Sequence, residues 1–344
     1  MRPPTHTRAA YCLGPGEIGL REIPLRGMKP DDAIVEVHSC GICGTDLHYY
    51  LGEAPPPPVC LGHEISGRLF TRCGALEAGT PVVVEPLVPC AACSHCRQGE
   101  PNLCPTLRLL GNSLDGGLAD RVVVPSASVY SIPPNVDLDT AVLTEPLAVA
   151  VHAIGLARPA AREEVLVLGG GTIGLLVGFV AAMRGARVTV SARHQHQRSS
   201  ALMLGATAVA DADEQTILAA TDENRPDVVF ETVGGEADTM NLALTVVKPG
   251  GRIVGLGKFN HPIALDPLRF LMKEVRMVSS MTYSRKGPLP DFIAALALLA
   301  DHLGLLRRLI THRVGLDRVA AAFALAADKS SGAIKIAVDV ATSR

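Results

Sequence analysis

Glu164-Val165-Leu166-Val167-Leu168-Gly169-Gly170-Gly171-Thr172-Ile173-Gly174 is the stretch on which the fold turns. Its first five residues read as a buried strand. They run into Gly-x-Gly-x-x-Gly, and the apolar segment from Leu175 to Arg184 then reads as a helix. Glycines at this spacing mean little in isolation, but between a strand and a helix they form the fingerprint of a dinucleotide site. Gly169 permits the tight turn. Gly171 lets backbone amides approach a pyrophosphate at the helix N-terminus, where the helix dipole favours negative charge. Gly174 lets helix and strand pack closely.

Outward from there the chain alternates strand and helix. Arg187 to Ser191 reads as the second strand, with further strands at Ala208 to Ala210, Val228 to Glu231 and Gly251 to Leu256. Over roughly one hundred and thirty residues this predicts an α/β, doubly wound parallel sheet. The end of the second strand bears on the choice of coenzyme. A chain that holds the ribose 2′-hydroxyl of NAD places a carboxylate there. Counting from Gly174, that position is Ala192, between Ser191 and Arg193, with Arg198 on the next helix. Guanidinium groups match a 2′-phosphate bidentately, so NADP(H) is expected in preference to NAD(H).

Upstream the composition changes to short strands punctuated by Gly and Pro, at Glu17 to Ile23, Ala33 to Val37 and Thr80 to Pro86. The second of these leads to Cys40-Gly-Ile-Cys43-Gly-Thr45-Asp46-Leu-His48. A connection containing Pro55-Pro56-Pro57-Pro58 follows, and then Gly62-His63-Glu64. The prolines favour an extended, stiff path. A thiol, an imidazole and a carboxylate this close together are the ligand types of a catalytic zinc that keeps one position open. An isolated Gly-His-Glu would be weak evidence, because neighbouring side chains on a strand point to opposite faces. The residues alone do not choose between Cys40 and Cys43.

Four cysteines follow as Cys90-x-x-Cys93-x-x-Cys96-x7-Cys104. That spacing points to a closed tetrahedral zinc site, while iron–sulfur clusters take other spacings. His95 lies inside the loop, but four thiolates already fill the shell. Beyond the doubly wound region the tail reads as a long helix (Asp291 to Leu306), a strand near Thr311 to Val314, a helix (Arg318 to Ala327) and a strand from Ala333 to Val340. The last strand alternates as a half-buried strand would, and it is expected to rejoin the first domain.

Composition narrows the class. The 344 residues suffice for two domains, with 48% hydrophobic and 19% charged residues and a net charge of −2. That is a globular balance with no basic block, so neither nucleic acid nor a membrane surface is expected as a partner. No apolar run reaches the length of a membrane span, and no signal core follows Met1, so a cytoplasmic location is expected. Nine cysteines, clustered and interleaved with histidines, point to metal rather than disulfides.

Taken together, these motifs resemble the zinc-containing medium-chain dehydrogenases/reductases across nearly the whole chain. Within them the sequence is similar to the sorbitol (polyol) and threonine dehydrogenase branch. The resemblance rests on Gly41-Ile-Cys43-Gly-Thr45-Asp46-x-His48, Gly62-His63-Glu64, the cysteine lobe, Glu145-Pro146-Leu147, the Gly169 fingerprint and, weakly, Ile310-Thr-His312-Arg313. It implies a Rossmann coenzyme domain over 148–283. It also implies a mostly β, GroES-like catalytic domain over 1–147 and 284–344, with a structural zinc lobe at 88–106.

By that resemblance Cys43 and His63 are catalytic zinc ligands, and Glu64 and Glu145 ligate the metal or meet it through water. Cys90, Cys93, Cys96 and Cys104 hold a second zinc. Thr45 and His48 form a proton relay. Gly169, Gly171, Thr172, Ile173, Gly174, Ser191, Arg193, Arg198, Val233, Gly255 and Leu256 contact the coenzyme. The implied activity is interconversion of a secondary alcohol (polyol, sugar, cyclitol or amino alcohol) and its ketone, by a homodimer or homotetramer. Polyol dehydrogenases carry an Arg-Tyr pair where this chain has Thr282-Tyr283, so a polyol is not assured. A different class of reading is a zinc-stabilised NADPH-binding protein without turnover, used structurally or as a sensor.

Overall fold

The computed structural model describes residues 4–340. They fall into two units, one running up to Glu145 and resuming at Ser284, the other spanning Pro146–Tyr283.

The first unit opens with a hairpin of β1 (His6–Gly14) and β2 (Glu17–Pro24). It continues through β3 (Asp32–Gly41), α1 (Gly44–Tyr50), β4 (Glu64–Leu69), β5 (Pro81–Val84), a two-residue β6 (Leu87–Val88), α2 (Ser94–Arg97), β7 (Arg108–Leu109), β8 (Arg121–Pro125), β9 (Val129–Ser131), α3 (Leu138–Ala141) and the start of α4 (Thr144–Ala157). Between Tyr50 and Glu64 no regular element forms, in line with the four consecutive prolines.

The second unit follows. It comprises β10 (Glu164–Leu168), α5 (Thr172–Met183), β11 (Arg187–Ser191), α6 (Gln195–Met203), β12 (Ala208–Ala210), α7 (Glu214–Thr221), β13 (Val228–Glu231), α8 (Thr239–Val246), β14 (Arg252–Gly255), α9 (Pro267–Lys273) and β15 (Arg276–Ser279). All pairings in its sheet are parallel, in the order β12-β11-β10-β13-β14-β15. That is the doubly wound Rossmann order, whose reversal point lies beside the first strand. Strand β10 is that first strand, so the glycine loop leaves the sheet at the reversal point. A Cβ on Gly174 would lie 2.0 Å from the Gly169 carbonyl oxygen, so only glycine lets α5 start this close to the turn. The Thr232 hydroxyl donates to the Leu168 carbonyl at 2.8 Å and ties the end of β10 to that of β13.

The tail returns to the first unit as α10 (Asp291–Asp301), α11 (Leu303–Leu306), β16 (Ile310–Gly315), α12 (Val319–Ala327) and β17 (Lys335–Asp339). Two expectations need correction. The long helix breaks at His302, whose φ of −122° and ψ of 25° leave the helical region. The last strand does not alternate, because Lys335, Ile336, Ala337 and Val338 are all buried. Strand β17 lies inside a seven-stranded sheet ordered β16-β17-β3-β4-β5-β9, with β8 also paired to β3. A strand flanked on both edges and covered on both faces reads as a continuous apolar run, and its one charged residue needs a buried partner. The core around this sheet includes Val35, Val37, Ile65, Leu69, Val82, Val84, Val122, Ile336 and Val338. Among the described residues no helix is long and apolar enough to cross a membrane.

Candidate active site and metal centres

Strand β3 ends at Gly41, and the chain turns at once into α1, with Cys43 as its N-cap in extended conformation. This short corner separates the two cysteines. Cys40 is still in the strand, fully buried, opposite Ile65 of β4 and Val338 of β17. Burial pushes its thiol well up. Cys43 stands clear of the strand, and its sulfur, a ring nitrogen of His63 and a carboxylate oxygen of Glu64 all lie within 4.8 Å of one another. Gly62 makes that approach possible: it adopts φ +89°, and a Cβ there would lie 2.6 Å from Cys40 Sγ and 2.9 Å from the Leu118 nitrogen. His63 precedes β4 and Glu64 is its first residue. The alternation of faces along a strand therefore does not separate these two, contrary to what adjacency suggested.

Charged groups crowd around this trio. Asp46 is fully buried on α1, and its Oδ2 accepts from the Cys43 N–H at 3.0 Å. Its Oδ1 lies 4.0 Å from His63 Nδ1 and has no hydrogen-bond partner. Burial raises the Asp46 carboxyl, with His63 pulling the other way. Glu145, in the first turn of α4, is pushed up to about 7, first by burial, with His63 opposing and Glu64 reinforcing. Burial alone would lower the His63 imidazole, but Cys43 and Asp46 outweigh it and hold it well above its ordinary value. Lys335, the first residue of β17, donates to both Glu64 oxygens at 2.6 and 2.7 Å and to the Ile42 carbonyl at 2.9 Å.

Lys335 thus lies near Glu64, Cys43 and Glu145, while Asp46 faces His63. A buried cluster this rich in acidic groups, with Asp46 Oδ1 left without a partner, suits a divalent cation bound by Cys43 and His63. Sulfur, nitrogen and oxygen donors are those a catalytic zinc takes, so the residues fit the metal. Glu64 joins the close trio while already held by Lys335, whereas Glu145 lies outside the trio, coupled to it electrostatically.

Thr45 Oγ1 is 4.0 Å from Cys43 Sγ. His48 is one helical turn further along α1, at i+3, the spacing that makes helix neighbours. Its Nδ1 pairs with the Glu53 carboxylate.

The second cluster is shaped by a short knuckle around α2. All four sulfurs of Cys90, Cys93, Cys96 and Cys104 lie within 4.8 Å of one another, and Cys96 Sγ is 3.9 Å from Cys90 Sγ and 3.4 Å from Cys93 Sγ. Tetrahedral Zn–S bonds of about 2.3 Å put sulfurs about 3.8 Å apart, so this donor set also fits zinc. Backbone N–H groups of Ala92 and Cys93 draw the Cys90 thiol down to about 6. His95 turns to Glu100 at 3.4 Å and is not part of the group.

In the second unit, Thr172, Ile173 and Gly174 form the first turn of α5 with Gly171 as N-cap. Val233 follows β13, Gly255 ends β14, and the Leu256 N–H donates to the Glu231 carbonyl at 2.8 Å. All stand at the carboxyl edge of the parallel strands, the edge on which such sheets bind ligands. Ser191 and Ala192 are buried at the end of β11, and Arg193 is exposed. Arg198 is less free than its sequence position suggested. It donates to the Ala192 carbonyl at 2.9 Å and to Gln195, and pairs with Asp211.

Sequence reading missed Lys335 and Glu53. A lone lysine in an apolar last strand was the available signal for the first, and an acidic residue just past the end of α1 for the second.

Comparison with known proteins adds the following. Residues 172–301 match the model of a zinc-binding dehydrogenase, and residues 29–134 that of an alcohol dehydrogenase GroES-like domain. The chain is 32% identical to an L-galactonate-5-dehydrogenase of Escherichia coli (strain K12), over 88% of this chain and 90% of that protein. A putative zinc-binding dehydrogenase from Sinorhizobium meliloti 1021, solved with NADP, is 31% identical with a TM-score of 0.86, covering 98% of this chain and 100% of that one. An alcohol dehydrogenase from E. coli CFT073, solved with NADH, is 27% identical with a TM-score of 0.87 over the same shares.

Proposed function

The chain belongs to the zinc-dependent medium-chain alcohol dehydrogenases, and from that premise we propose that it interconverts a polyhydroxylated secondary alcohol and its ketone, with NADP(H) as the preferred coenzyme. Polyols, sugars, cyclitols and amino alcohols make up the substrate class, and the galactonate-oxidising relative adds sugar acids to it. The observation that carries this reading is the convergence of Cys43, His63 and Glu64, with Thr45 Oγ1 4.0 Å from the Cys43 sulfur.

When bound, zinc supplies Lewis acidity toward the alcohol or ketone oxygen, and the nicotinamide supplies the hydride acceptor or donor. The chain's own residues do the rest. Cys43 and His63 hold the metal, with Glu64 or Glu145 completing the set. Asp46, placed against His63, orients the ring and favours its ligating form. Lys335 holds Glu64 in place by donating to both of its oxygens. Thr45 Oγ1 accepts the alcohol proton and passes it to His48, which delivers it to solvent. The cysteine lobe holds a second, structural zinc.

Preference for NADP(H) is supported by Ala192, which offers no carboxylate to a ribose hydroxyl, and by the exposed Arg193, free to meet a 2′-phosphate. Arg198, tied to the Ala192 carbonyl, shapes that loop. Assembly into a homodimer or homotetramer is supported by the edge strand β15 and by α9, on which Leu268, Leu271 and Met272 are 66%, 69% and 74% exposed. A panel containing galactonate, idonate, sorbitol, xylitol, threonine and 2,3-butanediol, followed at the nicotinamide absorbance with both coenzymes, tests the activity. Metal analysis should give two zincs per chain. Absence of turnover with every member, alongside intact zinc, would favour a coenzyme-binding protein instead.

A further inference from the structure

The turn that closes α1 carries a His48–Glu53 side-chain contact that the backbone of the turn does not require. The His48 carbonyl accepts from the Glu53 N–H at 2.9 Å and from the Ala54 N–H at 3.3 Å, and the Gly52 N–H donates to the Tyr49 carbonyl at 3.1 Å. These backbone bonds close the turn by themselves. The Glu53 side chain nevertheless comes back over it to pair with His48 Nδ1. The imidazole is 19% exposed and the carboxylate 35%, so the pair stands where a part-buried site meets water.

We propose that Glu53 is a positioning residue for proton transfer, holding the His48 imidazole in the tautomer and orientation that receive the proton leaving the alcohol. The proposal rests on the relay reading above. A carboxylate on Nδ1 keeps the proton on that nitrogen and leaves the lone pair on Nε2. Thr45, at i−3, lies on the same face of α1. During oxidation the alcohol O–H proton moves to Thr45 Oγ1 as the Thr45 proton passes to His48 Nε2, while the carbinol hydrogen leaves with its electron pair for the nicotinamide. The resulting imidazolium lies against the Glu53 carboxylate, which stabilises it without taking the proton. Nε2 then loses that proton to water, and the starting tautomer is restored. Lys329, in the loop after α12, is a further charged neighbour of Glu53.

The test combines a spectroscopic and a kinetic reading on the full-length zinc-loaded protein. Nitrogen-15 labelling of the eleven histidines reports each ring's tautomer by NMR, and the His48→Ala variant identifies the His48 signal. Wild type and Glu53→Gln should show His48 protonated on Nδ1, because the glutamine carbonyl still accepts, whereas Glu53→Ala should show mixed tautomers. With the best alcohol of the panel, Glu53→Ala should lose about tenfold in kcat for oxidation. Coenzyme KM and zinc content should be unchanged, with partial recovery in Glu53→Gln and on adding acetate. An unchanged His48 signal or unchanged kcat in Glu53→Ala overturns the proposal. So does a loss that neither acetate nor glutamine repairs, since that would mark a purely structural role. If His48→Ala itself turns over normally, the relay reading fails and Glu53 with it; if His48→Ala is slow and Glu53→Ala is not, Glu53 alone fails.

Discussion

Lys335 and Glu64 are 271 positions apart in sequence and meet fully buried. Nothing local in either stretch announces the pairing. The metal-ligand types were legible because Cys43, His63 and Glu64 fall within about two dozen positions; the lysine that compensates them was not, because only the sheet brings it there. Removing one partner of a buried pair leaves an uncompensated charge, at a cost of about 3–5 kcal/mol. Lys335→Met should therefore shift the urea midpoint sharply downward, and adding Glu64→Gln to it should recover much of the loss; equal midpoints for Lys335→Met and wild type would show that the ammonium is dispensable. The coenzyme loop offers a second residue-level test. Arg193→Leu should weaken NADPH by about tenfold, or about 1.4 kcal/mol, and leave NADH unchanged. Titration of both coenzymes reads this directly, and equal losses for the two would mean that Arg193 does not meet the 2′-phosphate. The sequence placed Arg198 beside it as an equal partner. Its carbonyl and Asp211 contacts were not readable, because they depend on how α6 leaves β11 and on where β12 ends.

At the scale of elements, the proposed zinc of the cysteine knuckle has a physical rationale. Helix α2 has four residues and none of them is buried, so this helix adds no apolar packing to hold the lobe's shape. With zinc bound there, metal binding and folding would be one event. Cys93→Ser should lose one zinc per chain and open 88–106 to proteolysis, and a folded variant with full zinc content would exclude the lobe as a site. The four cysteines were legible at short range. What they dock against was not: Arg285 reaches Glu85 at 2.6 Å across 200 positions, and Lys286 reaches Glu100 at 2.7 Å. The same limit explains the misread strand. Residues 333–340 look alternating in isolation, but β16 and β3 flank β17 on both sides, and burial then follows from position in the sheet rather than from pattern. The parallel order around β10 could be expected from the glycine loop, because that loop is useful only at the reversal point of such a sheet.

For the molecule as a whole, an almost neutral chain with a net charge of −2 does little to oppose self-association. If the chain does self-associate, the exposed apolar side chains of α9 and the edge strand β15 are where contact is expected. Leu271→Asp combined with Met272→Asp should move the sedimentation coefficient toward that of the monomer while both zincs are retained. A wild type that already sediments as a monomer would remove the basis for an oligomer.

Strand β3 has β17 as one of its direct neighbours, yet the two are separated by the entire coenzyme-binding unit. On the ribosome this sets an order of events. At about 5–20 residues per second, roughly ten to forty seconds pass between the emergence of Glu145 and that of Lys335. Through that interval the Ser39–Gly41 end of β3 lacks its β17 partner and Glu64 has no ammonium to meet, while the coenzyme unit has time to fold. The nascent catalytic half is thus a waiting half. Slowing translation late in the message should extend its exposure to chaperones and to aggregation, with no change in the finished protein.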